Sequence, residues 1–189
     1  RFRHGLVQEV AYNSLLEPAR RSLHRRIGEA LEALYGDSRD QVYGPLARHF
    51  ADDGVVTSDL AVEAARIALD TAGISPAQVD MIVCASVTGD TPFPATAVWV
   101  QQKLGISCPA FDVNAACAGF SYALATATGF VQAGIADIVL LIGAEVFSRI
   151  LDFHDRQTCV LFGDGAGATI LQAADRPGIE GTVLGADGS

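Results

Sequence analysis

Two short segments of the chain are apolar at every position, and they restrict it to one broad class of fold. Met81–Ala85 and Ile138–Ile142 carry only aliphatic, Met or Cys side chains, with no polar alternation. A strand without alternation is covered on both faces, which is typical of a parallel sheet between layers of helices. Segments with helical character alternate with such strands from residue 57 to residue 145. The pattern predicts an α/β layered architecture with a largely parallel central sheet.

The segments between the strands carry helix start and stop signals. Thr57–Asp59 supplies capping residues for a helix that Gly73 ends, and a second helix is predicted over residues 95–104. A strand containing Phe111 follows. The long helix after Cys117 is apolar all round, so we expect it to be central and packed on several sides.

A glycine-rich turn, Gly163–Ala168, lies near the end of the sequence. The runs beside it, Thr158–Phe162 and Ala166–Leu171, predict a pair of strands, and Thr182–Leu184 predicts a last strand. The turn lacks the Lys-Ser or Lys-Thr that completes a phosphate-binding loop, and it leads into a strand rather than a helix. We therefore interpret it as a turn in which backbones pass closely, not as a nucleotide site.

Charge is unevenly distributed along the 189 residues. Residues 1–55 carry eight Arg and eight Asp or Glu, whereas residues 56–189 carry five Lys or Arg against fourteen Asp or Glu. This difference gives the whole net charge of −9, so we expect no nucleic-acid partner, which would require a basic face. The change of composition near Gly54 predicts two domains, a short all-α segment over 1–55 and an α/β segment over 56–189.

The four cysteines show no C-x-x-C spacing, and His154 is the one histidine beyond residue 56, so no metal site is predicted. The sequence shows no signal peptide, which predicts free thiols and a cytoplasmic location. Residues 113–136 form an uncharged stretch long enough to span a bilayer. Charged residues bracket it within a continuing strand–helix–strand pattern, so we expect a helix inside a soluble protein and no membrane contact.

One cysteine occupies a position suited to nucleophilic chemistry. Cys117 follows the strand-like run Phe111–Asn114 and precedes the long apolar helix, and its neighbours are Ala and Gly, so a substrate could approach the sulfur closely. Backbone N–H groups and the positive end of the helix dipole favour a thiolate at such a position. A thiolate is what covalent cysteine catalysis requires. The alternative is a buried structural cysteine, the commoner fate of this residue type.

Residues 57–189 resemble the first half of β-ketoacyl-acyl-carrier-protein synthase III, a condensing enzyme of the thiolase superfamily. The motifs that carry the resemblance occur in the family's order and spacing. They are Thr57-Ser58-Asp59-Leu60-Ala61, Phe93-Pro94, Cys117 with its flanks, Asp155-Arg156, Phe162 to Ala168, and Gly185-Ala186-Asp187-Gly188-Ser189. The resemblance implies a thiolase-like half, a layered α/β structure with a mixed, largely parallel sheet.

The resemblance also implies roles for four residues. Cys117 matches the nucleophile that takes an acyl group from acyl-CoA as a thioester, and its backbone N–H matches half of the oxyanion hole. Arg156 matches an arginine that contacts the adenine end of CoA, although the residues alone favour an ion pair with a neighbouring Asp. Phe93 matches a residue that crosses a homodimer interface to shape the partner's acyl pocket. Phe162 matches an acyl-pocket wall, and core packing is the alternative for both residues. No permanently bound cofactor is implied, since acyl-CoA is a substrate and malonyl-acyl carrier protein is the second partner.

Part of the family's catalytic machinery matches nothing in this sequence. The His and Asn that assist decarboxylation of malonyl-acyl carrier protein, and the second oxyanion donor, lie in the family's second half, whereas this chain stops at Ser189. The family's opening strands, with a Trp and an Arg that help bind CoA, are replaced by residues 1–55. We therefore expect at most acyl loading of Cys117, as an incomplete initiation enzyme of fatty-acid or polyketide synthesis.

Residues 1–55 resemble a different class of protein. The runs Phe2 to Tyr12 and Leu23 to Ile27 look like the helical region that follows the ATPase module in bacterial signalling ATPases and adenylate-cyclase-linked regulators. No Walker motif is present, so no ATPase activity is implied. The simplest account is a chimera. The alternative function is a helical regulatory or scaffold fragment fused to an inactive condensing-enzyme half.

Overall fold

A computed structural model describes residues 54–153, 155–174 and 178–188. Within these ranges, one compact unit takes in residues 56–146 and 165–188, and residues 147–164 belong to a second unit. The helices predicted within residues 1–53 lie outside the described residues, and so does His154.

The first helix, α1, covers Thr57–Ala72 and begins at the predicted capping residues. The Val56 N–H donates to the Asp59 carboxylate at 3.0 Å, which satisfies a backbone group that a helix N-terminus otherwise leaves unpaired. Gly73 ends the helix with a φ of 67°, a left-handed conformation that glycine adopts without steric cost. The helix buries one apolar face, which consists of Ala61, Val62, Ala65 and Leu69.

Among the described residues, four strands form one sheet in the order β2-β1-β3-β4. Their bounds are Met81–Ala85 for β1, Ala110–Val113 for β2, Ile138–Val146 for β3 and Asp164–Gln172 for β4. β1 pairs in parallel with β2 on one side and with β3 on the other, so that Val83 lies opposite both Phe111 and Leu141. The two wholly apolar runs are therefore neighbouring inner strands, and the predicted α/β class is confirmed.

Helices cover both faces of the sheet. α2 spans Thr96–Leu104 and α3 spans Gly119–Gln132. One buried cluster joins α1 and α2 to the even-numbered positions of β1 and β3, and a second joins α3 to their odd-numbered positions. Because successive side chains of a strand point to opposite faces, each position of these strands meets a helix layer, which accounts for the lack of polar alternation.

Asp112 links the end of β2 to the start of α2. Its carboxylate accepts hydrogen bonds from the N–H groups of Thr96 at 2.6 Å and of Ala97 at 2.8 Å. These donors belong to the first turn of α2, where no intrahelical acceptor is available. A side chain from a neighbouring strand thus supplies the cap that the helix lacks in its own sequence.

The segment Thr158–Phe162 forms turns, so the strand predicted there is wrong. The Asp155 carboxylate accepts from the Gln157 N–H at 2.9 Å and from the Thr158 hydroxyl at 2.7 Å. The Cys159 N–H donates to the Asp155 carbonyl at 3.0 Å. An Asp that bonds to the backbone after it competes with strand pairing, and here the turn prevails. The partner strand predicted over 166–171 is confirmed within β4.

Two further expectations are corrected. Thr182–Leu184 forms no strand, and Val183 is 98% exposed, because this segment has no hydrogen-bonded strand neighbour among the described residues. Helix α3 packs on the sheet through one face instead of on several sides: Gly119, Ala123 and Ala127 are buried there, and Leu124, Phe130 and Val131 are partly buried against the same cluster. In the described part of the chain, no helix combines the length and apolar character needed to cross a membrane.

Candidate active site at the end of strand β2

The chain turns from β2 into α3 through a single helical turn, and Cys117 lies in the middle of it. β2 ends at Val113, residues 116–118 form a 3₁₀ turn, and α3 begins at Gly119. Cys117 is exposed and its thiol is free. The predicted position, at the junction of a strand and a helix, is therefore confirmed, and the alternative of a buried structural cysteine is not.

Backbone strain marks the residue before the cysteine. Ala116 has a φ of 46°, in the left-handed region that a residue with a Cβ rarely adopts. Such a conformation costs on the order of 1–3 kcal/mol and persists only when the surroundings hold it. Residues of this kind concentrate at functional sites, so the strain adds a second, independent feature to the position of Cys117.

The first two residues of α3 are seated on the central strands. A Cβ at Gly119 would lie 3.6 Å from the Ala85 Cβ, which is ordinary contact, so the helix backbone already rests close to β1. A Cβ at Gly143 would lie 3.1 Å from the Phe120 ring, so this ring covers bare backbone of β3. Neither Gly143 nor Phe120 was singled out from the sequence, and only a glycine within an apolar strand hinted at such a close approach.

The other three cysteines sit in environments unlike that of Cys117. Cys84 lies on β1, fully buried, where burial first and then the charges of Asp112, Glu145 and Asp90 raise the pKa of its thiol. Cys108 is partly buried, and burial raises the pKa of its thiol as well. Of the four, only Cys117 is exposed.

Glu145, on β3, organises the loop that follows β1. Its carboxylate accepts hydrogen bonds from the N–H groups of Val87 at 2.9 Å and of Thr88 at 3.0 Å, and also from the Thr88 hydroxyl. The Thr57 hydroxyl donates to the Thr88 carbonyl, which ties the same loop to α1. This residue was not predicted from the sequence, where its one signal was an acid inside an otherwise apolar strand.

The remaining predicted site residues are divided between the two units. Phe93, in the loop between β1 and α2, is 84% exposed. Arg156 is exposed within the turns of the second unit. In that unit the Phe162 ring stacks on the Phe147 ring, with centroids 4.9 Å apart and an interplanar angle of 22°. No group of three or more metal-ligating side chains occurs among the residues that the structure describes.

Comparison with known proteins identifies sequences and structures that are similar to this chain. The profile of the family described as 3-Oxoacyl-[acyl-carrier-protein (ACP)] synthase III matches residues 111–188, a range that includes Cys117. A β-ketoacyl-[acyl-carrier-protein] synthase III from Neisseria meningitidis serogroup C is 59% identical over 144 residues, which cover 75% of this chain and 45% of the relative. The chain thus spans less than half the length of the curated relatives that it matches.

Solved structures give the same answer for the fold. The crystal structure of 3-oxoacyl-[acyl-carrier-protein] synthase III from Aquifex aeolicus superposes with a TM-score of 0.63 at 45% identity, over 65% of this chain and 40% of that one. The corresponding enzyme from Pseudomonas aeruginosa gives a TM-score of 0.61 at 48% identity, over 64% of this chain and 38% of that one. In both sequence and fold, this chain is similar to part of a condensing enzyme of the β-ketoacyl-[acyl-carrier-protein] synthase III type.

Proposed function

We propose that this chain accepts an acyl group from acyl-CoA on Cys117, as the loading step of a β-ketoacyl-[acyl-carrier-protein] synthase III. The observation that carries the proposal is an exposed, free thiol between β2 and α3, next to a strained residue and inside the range matched by the family profile. The small side chains around it leave room for a thioester to approach the sulfur.

The loading step exchanges one thioester for another. The Cys117 thiolate attacks the carbonyl carbon of acyl-CoA, a new C–S bond forms, and the carbonyl oxygen takes the negative charge of a tetrahedral intermediate. Backbone N–H donors that point at this oxygen lower the barrier, and the Cys117 N–H is the donor that we propose. The bond to the CoA sulfur then breaks, and CoA leaves as a thiolate that takes up a proton.

Three further residues have proposed binding roles. Arg156 would contact the adenine end of CoA, since its planar guanidinium is exposed and carries donors suited to such a ligand. Phe162 would form a wall of the acyl pocket. Phe93 would reach the acyl pocket of a second copy in a homodimer, a role that its 84% exposure supports. No resident cofactor enters this scheme.

The complete family reaction adds a second step, in which a carbanion from malonyl-acyl carrier protein attacks the loaded acyl group. The His and Asn that serve this step in the family match none of these 189 residues, and for these residues we propose only the loading step at Cys117. We place that step in the cytoplasm, at the start of fatty-acid or polyketide synthesis. A priming β-ketosynthase of a polyketide pathway, 37% identical with a TM-score of 0.61, supports a role at the start of such a pathway. The relatives reported above are condensing enzymes, and none supports the alternative of a regulatory fragment.

Mass spectrometry of the intact chain after incubation with acetyl-CoA tests the proposal. We expect the mass gain of one acetyl group, located on the peptide that contains Cys117 and removed by hydroxylamine, as a thioester is. The Cys117→Ala variant should gain nothing, whereas Cys159→Ala should be acetylated as fast as the unaltered chain. Acetylation at another cysteine, or none at all, would refute the proposed function.

A further inference from the structure

A cross-strand pair of small residues lies beneath the start of α3. Ala85 of β1 and Gly143 of β3 are direct neighbours in the parallel register. Gly119 rests on Ala85 and Phe120 rests on Gly143. Two consecutive residues of the helix therefore contact two strands, β1 and β3, that are neighbours in the sheet. Both contacts lie within three residues of Cys117, on the side of the turn that leads into the helix.

Gly143 is not required by its backbone conformation. Its φ lies outside the left-handed region, so alanine could adopt the same backbone. A glycine in the interior of a strand is less favourable than alanine, because it loses more conformational freedom on folding, so its presence needs a reason. That reason is space, since a Cβ at this position would meet the Phe120 ring at 3.1 Å, closer than a relaxed contact allows.

The turn that holds Cys117 has few other anchors on this side. Ala116, Cys117 and Ala118 are exposed, and their small side chains bury little surface. Phe120 is 42% exposed, with the ring placed over β3. We therefore expect a change in the height of this ring above the strand to shift the first turn of α3 and the strained turn before it.

We propose that Gly143 and Phe120 act together as positioning residues for Cys117: the bare backbone of Gly143 lets the ring lie on β3, and this sets where the thiol stands. The consequence for acyl loading depends on the function proposed above, whereas the consequence for the position of the thiol does not. The inference therefore has a readout of its own.

The decisive experiment is a double-mutant cycle on the full chain, made of Gly143→Ala, Phe120→Ala and the variant with both changes. The first readout is the rate at which iodoacetamide alkylates Cys117, measured by peptide mass spectrometry relative to Cys159 in the same sample. The second is the rate of acetylation by acetyl-CoA. Gly129→Ala is the matched control, because a Cβ there, on the same helix, meets no atom within 4 Å.

We expect Gly143→Ala to change both rates at Cys117 by about 10-fold, because the Phe120 ring must give way by a few tenths of an ångström and a misplacement of about 1 Å can cost on the order of 100-fold in rate. In the Phe120→Ala background the same substitution should change them by less than about twofold, since the clash is gone. Gly129→Ala should leave both rates unaltered.

Equal effects of Gly143→Ala in the two backgrounds would overturn the inference, and so would no effect in either. If Gly143→Ala fails to fold, as judged by circular dichroism, the folded double variant decides: recovery of folding when the ring is removed supports the contact, and failure to recover overturns it. If the unaltered chain is not acetylated at all, the proposed function fails, while alkylation of Cys117 still tests the positioning role.

Discussion

At the scale of single residues, the four cysteines share one functional group but differ in what surrounds it. Cys84 is buried inside the sheet, where desolvation and nearby carboxylates both disfavour its thiolate. Burial chiefly, and the charge of Asp80 to a lesser extent, raise the pKa of the Cys108 thiol. Cys117 stands in the open, at the start of a helix. The reactivity of each cysteine toward an electrophile should therefore depend on how far its thiol is buried and on the charges near it.

We expect iodoacetamide to label Cys117 first in the folded chain near neutral pH. Because the thiolate is the reacting species and a raised pKa reduces its fraction, Cys108 should react more slowly and gain reactivity only as the pH rises toward that raised pKa. Cys84 should react at least about 10-fold more slowly than Cys117, limited by opening of the sheet. Peptide mass spectrometry over a time course measures all of these rates. Equal labelling of the four cysteines in the folded state would contradict the environments described here.

At the scale of elements, an ion pair joins the N-terminus of α1 to α2, and its contribution to the stability of the fold depends on pH. The Asp59 carboxylate accepts from the Val56 N–H and lies 2.6 Å from the Lys103 ammonium. Burial raises the pKa of this carboxyl, but the hydrogen bonds from Lys103 and Val56, with the lysine's charge, outweigh it, so that the net pKa is lowered. A lowered pKa means that folding favours the ionised form.

We expect Asp59→Asn to destabilise the fold by about 0.5–1 kcal/mol at pH 7, a small value because both side chains are partly exposed and the pair is screened. The stabilisation is fully present above the unfolded aspartate pKa of about 3.9 and is lost as the pH falls through the lower folded value. The difference between variant and parent should therefore shrink in acid. Urea unfolding at several pH values measures it.

The control for this prediction is Asp70→Asn, in the last turn of the same helix. A carboxylate there faces the negative end of the helix dipole, so removing its charge should leave the free energy of unfolding unchanged or raise it slightly. A loss of stability for Asp59→Asn that stays constant from neutral to acidic pH would show that the charge pair is not its source.

The sequence predicted the elements of residues 57–146 because each pattern reflects a local property of the element, either the burial of its side chains or the conformation of its backbone. Met81–Ala85 is apolar because both its faces are covered, and Gly73 ends a helix because its backbone is left-handed. The strand predicted over Thr158–Phe162 is wrong because a short apolar run fits a strand and a turn alike, and the deciding hydrogen bonds come from Asp155.

The candidate site was predictable only in part. The position of Cys117 depends on the local order of strand and helix, which the sequence displays. Glu145 and Gly143 act through contacts with residues far away in the chain, at Thr88 and Phe120, and a single sequence displays no such pairing. The proposed roles of Arg156 and Phe93 come from the resemblance and from the exposure of both side chains.

At the scale of the whole sheet, two buried apolar clusters stabilise the fold, one on each face of the same strands. Leu140 and Leu141 are adjacent on β3 and both fully buried, yet Leu140 packs with the layer of α1 and α2, whereas Leu141 packs with α3. In a sheet with one solvated face, one of two adjacent residues would be exposed. The even burial of this pair is thus the direct mark of a sheet between two helix layers.

We expect Leu140→Ala and Leu141→Ala to destabilise the chain by similar amounts, each about 2–5 kcal/mol, because each removes buried methyl groups and leaves a cavity that rigid neighbours fill only in part. Ile135→Ala is the control, since this side chain is 65% exposed, and its cost should stay within about 0.5 kcal/mol. Denaturant unfolding followed by circular dichroism gives the three values. If Leu141→Ala proved nearly neutral while Leu140→Ala was costly, α3 would not be packed on the sheet, and Gly119 and Phe120 could not hold the turn that carries Cys117. The stability of the second layer and the position of the thiol therefore stand on the same contact between α3 and the central strands.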